Sequence, residues 1–210
     1  MLLGLIGPAQ AATRQPVRPA VIAPIAEAPL VRVALKTPAG DIIVELDHGR
    51  APATVTNFLR YVDQKRFDGT FFYRAMKLGD GQGLVQGGTA NDPKRVLKPV
   101  VHEPTNVTGL KHLAGAISMA RWGPGTANGD FSILVSALPS LDANPAQPGD
   151  NVGYAVFGYV VAGMDLVRTM LDAPTSPTLG EGFMKGQMLE PQIRIISVRR
   201  VAMPTATAKP

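Results

Sequence analysis

The sequence contains no cysteine and only three histidines, which stand far apart in the chain. The absence of cysteine excludes a disulfide framework, a thiolate metal site and a cysteine nucleophile, and three scattered histidines leave little for zinc. The chain also lacks a G-x-S-x-G elbow, a G-x-x-x-x-G-K-[ST] phosphate loop and an H-E-x-x-H pair. These absences weaken the case for hydrolytic, nucleotide-dependent and metal-dependent chemistry.

Basic residues only slightly outnumber acidic ones: 21 Lys and Arg against 16 Asp and Glu give a net charge of +5. Apart from Arg199 and Arg200 the basic residues are scattered, so no basic stripe follows a phosphate backbone and nucleic acid is not an expected partner. No apolar run approaches the roughly 20 residues that span a bilayer, and we expect no membrane insertion. His48, His102 and His112 are predicted to be turn or surface residues.

Apolar residues, glycine and proline are plentiful. A hydrophobic content of 45% over 210 residues is enough for a substantial core. The 22 glycines and 19 prolines are unusual for a helical bundle and typical of many turns between short strands. The composition therefore predicts a β-rich protein.

The two ends of the chain differ from its middle. Residues 1–11 hold a short apolar run followed by A-Q-A, which predicts a secretory signal peptide. No Lys or Arg precedes that run, so a start further upstream or a disordered N-terminus remains the alternative. Residues 12–30 form a Pro/Ala-rich linker, 31–201 the folded domain and 202–210 a disordered tail. A signal peptide would place the mature protein in the bacterial periplasm or outside the cell.

Hydrophobic periodicity divides the folded domain into short strands and two helices. Apolar residues spaced as on one helical face predict helices over 51–65 and 163–173. Alternating or β-branched runs bounded by Gly, Pro, Asn or Asp predict strands at 31–36, 42–46, 70–76, 84–86, 116–119, 131–135, 152–161 and 193–198. Eight strands without regular βα alternation indicate an antiparallel barrel or sandwich, whose open ends two helices would cover. The long Gly/Pro-rich excursion over 174–191 is predicted to be surface decoration, with a partner surface as the alternative.

Four ordered segments resemble the cyclophilin family of peptidyl-prolyl cis/trans isomerases. The segments and the family patterns that they match are P-A-T-V-T-N-F at 52–58 (P-x-T-x-x-N-F), F-F-Y-R at 71–74 with V-Q-G-G at 85–88 (F-H-R, then Q-G-G-D), G-A-I-S-M-A at 115–120 with 123–133 (G-x-L-S-M-A … G-P-x-T-x-x-S-Q-F-F-I), and L-D at 141–142 with Y-A-V-F-G-Y-V at 154–160 (L-D … H-x-V-F-G-x-V). The resemblance covers most of 31–201. It implies a mainly β fold, a closed eight-stranded antiparallel barrel capped by two α-helices.

The implied reaction needs few residues. Rotation about an X–Pro bond faces a barrier of about 18–20 kcal/mol, because it breaks amide resonance. An enzyme lowers this barrier by binding the twisted imide more tightly than either planar form, and a fixed cation that donates to the imide nitrogen does so. The resemblance makes Arg74 that cation and Gln86 the neighbour that orients it or binds the substrate backbone. It implies no metal and no other cofactor.

The resemblance also implies a substrate-binding surface around Arg74. Its residues are Phe72, Tyr73, Leu84, Ala120, Arg121, Trp122, Asp130, Ser132, Leu141 and Tyr154. Ser132 and Tyr154 replace a phenylalanine and a histidine of the family's proline pocket, which removes apolar contact area. Trp122 either covers the groove or packs at the rim of the barrel, and Asp130 is expected to pair with Arg74 or with Arg121.

Two functions remain open at this point. The first is an isomerase that assists the folding of exported proteins, binds proline-containing unfolded or folding polypeptides and acts as a monomer. The alternative is a binding module or chaperone on the same fold that has lost the reaction, which the altered pocket residues motivate. Acceleration of cis/trans exchange in a proline peptide distinguishes them.

Overall fold

The computed structural model describes residues 29–203, which are organised around one antiparallel β-sheet. Its strands are β1 (Leu30–Thr37), β2 (Gly40–Asp47), β3 (Phe71–Gly79), β4 (Gln82–Gly88), β5 (Ala116–Met119), β6 (Asp130–Leu134), β7 (Val156–Ala162), β8 (Thr175–Ser176), β9 (Met188–Arg194) and β10 (Ser197–Arg200). The helices are α1 (Pro52–Asp63), the short α2 (Thr105–Thr108) and α3 (Met164–Asp172). The predicted signal peptide, residues 12–28 of the predicted linker and 204–210 of the predicted tail lie outside the described residues.

The strands follow the order β10-β1-β2-β7-β5-β6-β4-β3-β9-β8 across the sheet. β9 and β10 are separated in the chain only by Ile195 and Ile196. The amide of Ile195 donates to the carbonyl of Thr70 at 2.8 Å, and the amide of Ile196 donates to the carbonyl of Lys36 at 2.8 Å. One stretch of chain therefore lies beside both β3 and β1, and the sheet curls.

The mainly β prediction is confirmed, but the predicted closed eight-stranded barrel is wrong in its strand count. The segment predicted as one strand over 193–198 is broken at Ile195 and Ile196 and belongs to β9 and β10. The excursion predicted as a loop over 174–191 contains β8 and the start of β9. The run predicted over 152–161 becomes a strand only at Val156, so Tyr154 lies in the loop before β7. Both predicted helices form, as α1 and α3.

The two faces of the sheet have different roles because side chains alternate along each strand. On the inner face, Phe131 of β6 meets the rings of Phe58, Phe67 and Phe72 at centroid distances of 5.5, 5.6 and 5.9 Å, all nearly edge to face. Phe72 is fully buried there. Its predicted substrate-binding role is therefore wrong, because its ring fills the core.

Helix α1 is capped from a distant part of the chain. Its own N-cap residue, Ala51, offers no side-chain acceptor. The carboxylate of Glu103 takes that place and accepts hydrogen bonds from the amides of Ala53 and Thr54 and from the hydroxyl of Thr54, at 3.0, 2.7 and 2.6 Å. The negative charge also lies at the positive end of the helix.

Replacing Glu103 by alanine should lower the free energy of unfolding by about 2 kcal/mol, because two helix-end amides and one hydroxyl lose their acceptor. Urea denaturation measures the change. Glu103→Gln keeps the shape of the side chain and one acceptor oxygen, so it should lose roughly half as much. An alanine variant as stable as the parent would contradict the capping role.

None of the helices within residues 29–203 is both long enough and apolar enough to cross a bilayer.

Candidate active site

A cavity of about 370 Å³ lies on the outer face of the sheet, against β3, β4, β5 and β6. Eleven of the twelve residues predicted for the site line it, and Phe72 is the exception. Alternation explains the lining, since Leu84 and Gln86 of β4 face the cavity while Val85 between them is fully buried. The four strands thus gather residues that are far apart in the sequence.

A β-bulge places Arg74 at the cavity. In the pairing of β3 with β4, Phe72 lies opposite Gly87 and Arg74 opposite Gln86, so Tyr73 is an extra residue. Strict alternation would point Tyr73 and Arg74 to opposite faces of the sheet, whereas the bulge lets both line the cavity. Arg74 is only 8% exposed there.

The guanidinium of Arg74 is held by two neutral amides. Nη1 donates to Oε1 of Gln86 at 2.8 Å, while Nε and Nη2 donate to Oε1 of Gln187 at 2.9 and 2.7 Å. Three of its five N–H bonds are thereby occupied by the part of the chain that the structure describes, and two remain. Burial lowers the pKa of Arg74 from its usual value, yet a guanidinium still stays charged at neutral pH.

Gln86 links Arg74 to Tyr73. While its Oε1 accepts from Arg74, its Nε2 donates to the Tyr73 hydroxyl at 2.8 Å. Burial, and then the charge of Asp130, raise the pKa of the Tyr73 phenol far above neutral, so the hydroxyl stays protonated. The predicted contact between Gln86 and Arg74 is present in the structure.

Asp130 pairs with neither arginine, contrary to expectation. Its Oδ1 accepts from the amide of Ala90 at 2.7 Å and from the hydroxyl of Thr89 at 3.3 Å. Burial raises the pKa of Asp130, and these hydrogen bonds act against the rise. Arg121 instead pairs with Asp150 at 2.7 Å.

The loops around the cavity supply aromatic and apolar surface. The guanidinium of Arg121 lies 4.7 Å from the ring centroid of Tyr154, in a cation–π contact that holds this ring at the cavity. Trp122 lines the cavity while 66% exposed, so it contributes little to packing at the rim and is accessible to a bound chain. Ala120, Ser132 and Leu141 complete the predicted set.

The excursion predicted as surface decoration places four residues at the cavity or against Arg74 that the sequence did not predict for the site. Phe183, Met184 and Met188 line the cavity, and Gln187 between them is hydrogen-bonded to Arg74. Gln187 touches Arg74 directly, and the ring centroid of Phe183 lies 5.5 Å from the guanidinium carbon. The F-M pair inside an otherwise Gly-rich stretch was the one available signal, since a surface turn seldom needs two large apolar residues.

His112 is buried and hydrogen-bonded, so its prediction as a turn or surface residue is wrong. Its Nδ1 lies 2.7 Å from Oδ1 of Asp142, and its Nε2 lies 2.9 Å from the hydroxyl of Ser118. The order acid, imidazole, hydroxyl is that of a hydrolase triad. Ser118 lies at the wall of the cavity but is only 2% exposed, so we assign the cluster a structural role.

Comparison with known proteins identifies the class of protein. Residues 30–200 match the family model for cyclophilin type peptidyl-prolyl cis-trans isomerases. A peptidyl-prolyl cis-trans isomerase of Acinetobacter baylyi is 34% identical over 178 residues, which cover 83% of this chain and 87% of that protein. Peptidyl-prolyl cis-trans isomerase A of Dickeya dadantii is 39% identical over 146 residues, covering 68% of this chain and 72% of that protein.

Solved structures agree on the fold. A cyclophilin type isomerase of Cryptosporidium parvum, crystallised in the presence of the dipeptide Ala-Pro, superimposes with a TM-score of 0.65 at 23% identity and covers 82% of this chain and 99% of its own. The chain therefore belongs to the cyclophilin type peptidyl-prolyl cis-trans isomerase family. The family and the enzyme class implied by the sequence motifs are confirmed.

Proposed function

We propose that this protein accelerates cis/trans interconversion of X–Pro bonds in unfolded or folding polypeptides, with Arg74 as the donor to the twisted imide. The observation that carries the proposal is a buried guanidinium held by two neutral amides at the edge of an apolar cavity. The Ala-Pro dipeptide named with the Cryptosporidium parvum structure supports a proline-containing ligand. The reaction requires no covalent intermediate, since only a rotation occurs.

The electrostatics of the cavity suit this rotation. As the imide twists, its nitrogen lone pair leaves resonance and becomes a hydrogen-bond acceptor, which a fixed cation stabilises more than it stabilises the planar amide. Gln86 and Gln187 orient the guanidinium without cancelling its charge, because amides are neutral. The apolar wall available to the proline ring includes Met76, Leu84, Met119, Leu134 and Leu141.

The cellular setting extends this proposal. The apolar run and A-Q-A pattern within 1–11 support export, so the clients we propose are proteins that fold in the bacterial periplasm or outside the cell. We further propose that the protein works as a monomer and without metal or other cofactor.

A catalysed rate above the spontaneous one is the expected result with a chromogenic X-Pro peptide in a protease-coupled assay or by exchange NMR. Addition of EDTA should leave that rate unchanged. Titration of the same peptide monitored by Trp122 fluorescence measures binding independently. Binding without any acceleration would instead support the non-catalytic binding module and overturn the proposed function.

A further inference from the structure

The excursion between α3 and β9 reaches the catalytic cavity through residues 179–188, which we call the rim segment. It contains a 3-10 turn at Gly182–Met184 and joins β9 at Met188. Internal hydrogen bonds close it, since the amide of Gly186 donates to the carbonyl of Leu179 at 3.0 Å and that of Gln187 donates to the carbonyl of Met184 at 3.1 Å. The backbone around Gln187 is therefore fixed locally.

The rim segment is also tied to the strand that carries Arg74. The amide of Ala75, the residue after Arg74, donates to the backbone carbonyl of Gln187 at 2.9 Å. This bond continues the pairing of β3 with β9, in which Arg74 lies opposite Met188. The side chain of Arg74 starts from β3 and that of Gln187 from the residue immediately before β9, so the two meet over a short distance.

A second hydrogen bond sets which end of the Gln187 amide faces Arg74. Its Nε2 donates to the backbone carbonyl of Phe183 at 2.8 Å. A carbonyl can only accept, so the amide nitrogen belongs on that side and Oε1 points to the guanidinium. The reversed amide would place N–H donors against Arg74 and lose all three hydrogen bonds of the Gln187 side-chain amide.

We propose that Gln187 is a positioning residue that fixes the orientation of the Arg74 guanidinium for catalysis. The inference deepens the proposed function and rests on it. Gln86 holds Nη1 from one side, while Gln187 holds Nε and Nη2 from the other, so the guanidinium plane cannot turn about the Cγ–Cδ and Cδ–Nε bonds without losing a partner. The two remaining N–H bonds then point in fixed directions, as transition-state stabilisation by a preorganised donor requires.

A neutral amide at position 187 suits the orientation of the Arg74 guanidinium better than a carboxylate would. A carboxylate at position 187 could accept the same two hydrogen bonds, but it has no N–H to donate to the Phe183 carbonyl. Its charge would also pair with Arg74 and reduce the field that the imide nitrogen experiences. The face of the guanidinium beside Phe183 adds a cation–π contact that likewise leaves the net charge intact. The Arg74 guanidinium is thus held in one orientation and keeps its full positive charge.

Gln187→Ala should lower kcat for an X-Pro peptide about tenfold while KM changes less than twofold, because the cavity wall remains and only the orientation of the donor is lost. In an Arg74→Ala background the same substitution should change kcat less than twofold, since Gln187 acts through Arg74. Lys185→Ala, in the same turn with an exposed side chain, is the matched control and should retain the parent rate.

The Arg74 Nε–H signal in ¹⁵N NMR should be protected from solvent exchange in the parent and in Lys185→Ala, and unprotected in Gln187→Ala.

Gln187→Glu adds a charge while it keeps the acceptor for Arg74. It gives up the donor to the Phe183 carbonyl, so the Nε–H signal checks that the guanidinium is still held. This variant should keep the protected Nε–H signal and still lose about tenfold in kcat. A parent-like kcat in Gln187→Ala, or equal losses of kcat with and without Arg74, would overturn the positioning role. If Arg74→Ala itself left the rate unchanged, the donor role of Arg74 would fail together with this inference, whereas binding without acceleration by the parent would overturn the proposed function.

Discussion

Arg74→Ala is expected to lower kcat/KM for X-Pro isomerisation by about 10²-fold while leaving the protein folded. The substitution removes the charged donor, and loss of one preorganised hydrogen-bond donor in an active site costs about 2.7–4 kcal/mol of transition-state stabilisation. Peptide affinity should change much less, because the apolar wall that holds the proline ring is untouched. The rate is measured by the protease-coupled assay and binding by titration of the same peptide.

The controls for Arg74 test charge, geometry and general loss of a cation separately. Arg74→Lys keeps a positive charge but not the planar set of donors that Gln86 and Gln187 hold, so it should recover only part of the rate. Arg168→Ala removes an exposed arginine whose partner is Asp165, three residues away in α3, and should behave as the parent. Equal turnover by the Arg74→Ala variant and the parent would show that another group stabilises the twisted imide.

Phe131→Ala should cause the largest loss of stability, about 3–5 kcal/mol in the free energy of unfolding. Phe131 is fully buried and its ring contacts those of Phe58, Phe67 and Phe72. Removal of the ring leaves a cavity among rigid aromatic neighbours that cannot collapse to fill it. Urea denaturation at fixed temperature gives the difference directly.

Two further variants test the cause of this loss. Phe131→Leu retains most of the apolar volume and should cost clearly less than the alanine variant. Val107→Ala truncates a side chain that is 76% exposed, and its stability should stay within about 0.5 kcal/mol of the parent. If Phe131→Ala unfolded at the parent's urea concentration, the aromatic cluster would not be the centre of the core.

The sequence identified the secondary structure better than the connections of the sheet. Periodicity located α1 and α3 because each buries one apolar face, with Val55, Phe58 and Val62 on the first. It did not separate β9 from β10, since the run of β-branched residues over 193–198 is typical of a single strand and conceals the change of partner at Ile195 and Ile196. The strands with which a residue pairs are determined by residues far away in the sequence, and the local hydrophobic pattern does not reveal them.

The site was predictable where motif and strand alternation agreed. Leu84, Gln86 and Ser132 line the cavity as the family motifs imply. The assignment of Phe72 was wrong, because the motif does not state which face of β3 each residue takes. The contact of Gln187 with Arg74 joins residues 113 positions apart, so only the folded chain reveals it.

The extra residue at Tyr73 decides on which side of the protein the reaction takes place. If Tyr73 were paired with Gln86 in regular register, Arg74 would lie opposite the buried Val85, and its guanidinium would point inward toward the phenyl rings of the interior. The one-residue bulge between β3 and β4 therefore keeps the guanidinium on the outer face of the sheet, where a substrate can reach it. In a regular pairing the same charge would be buried in the hydrocarbon interior.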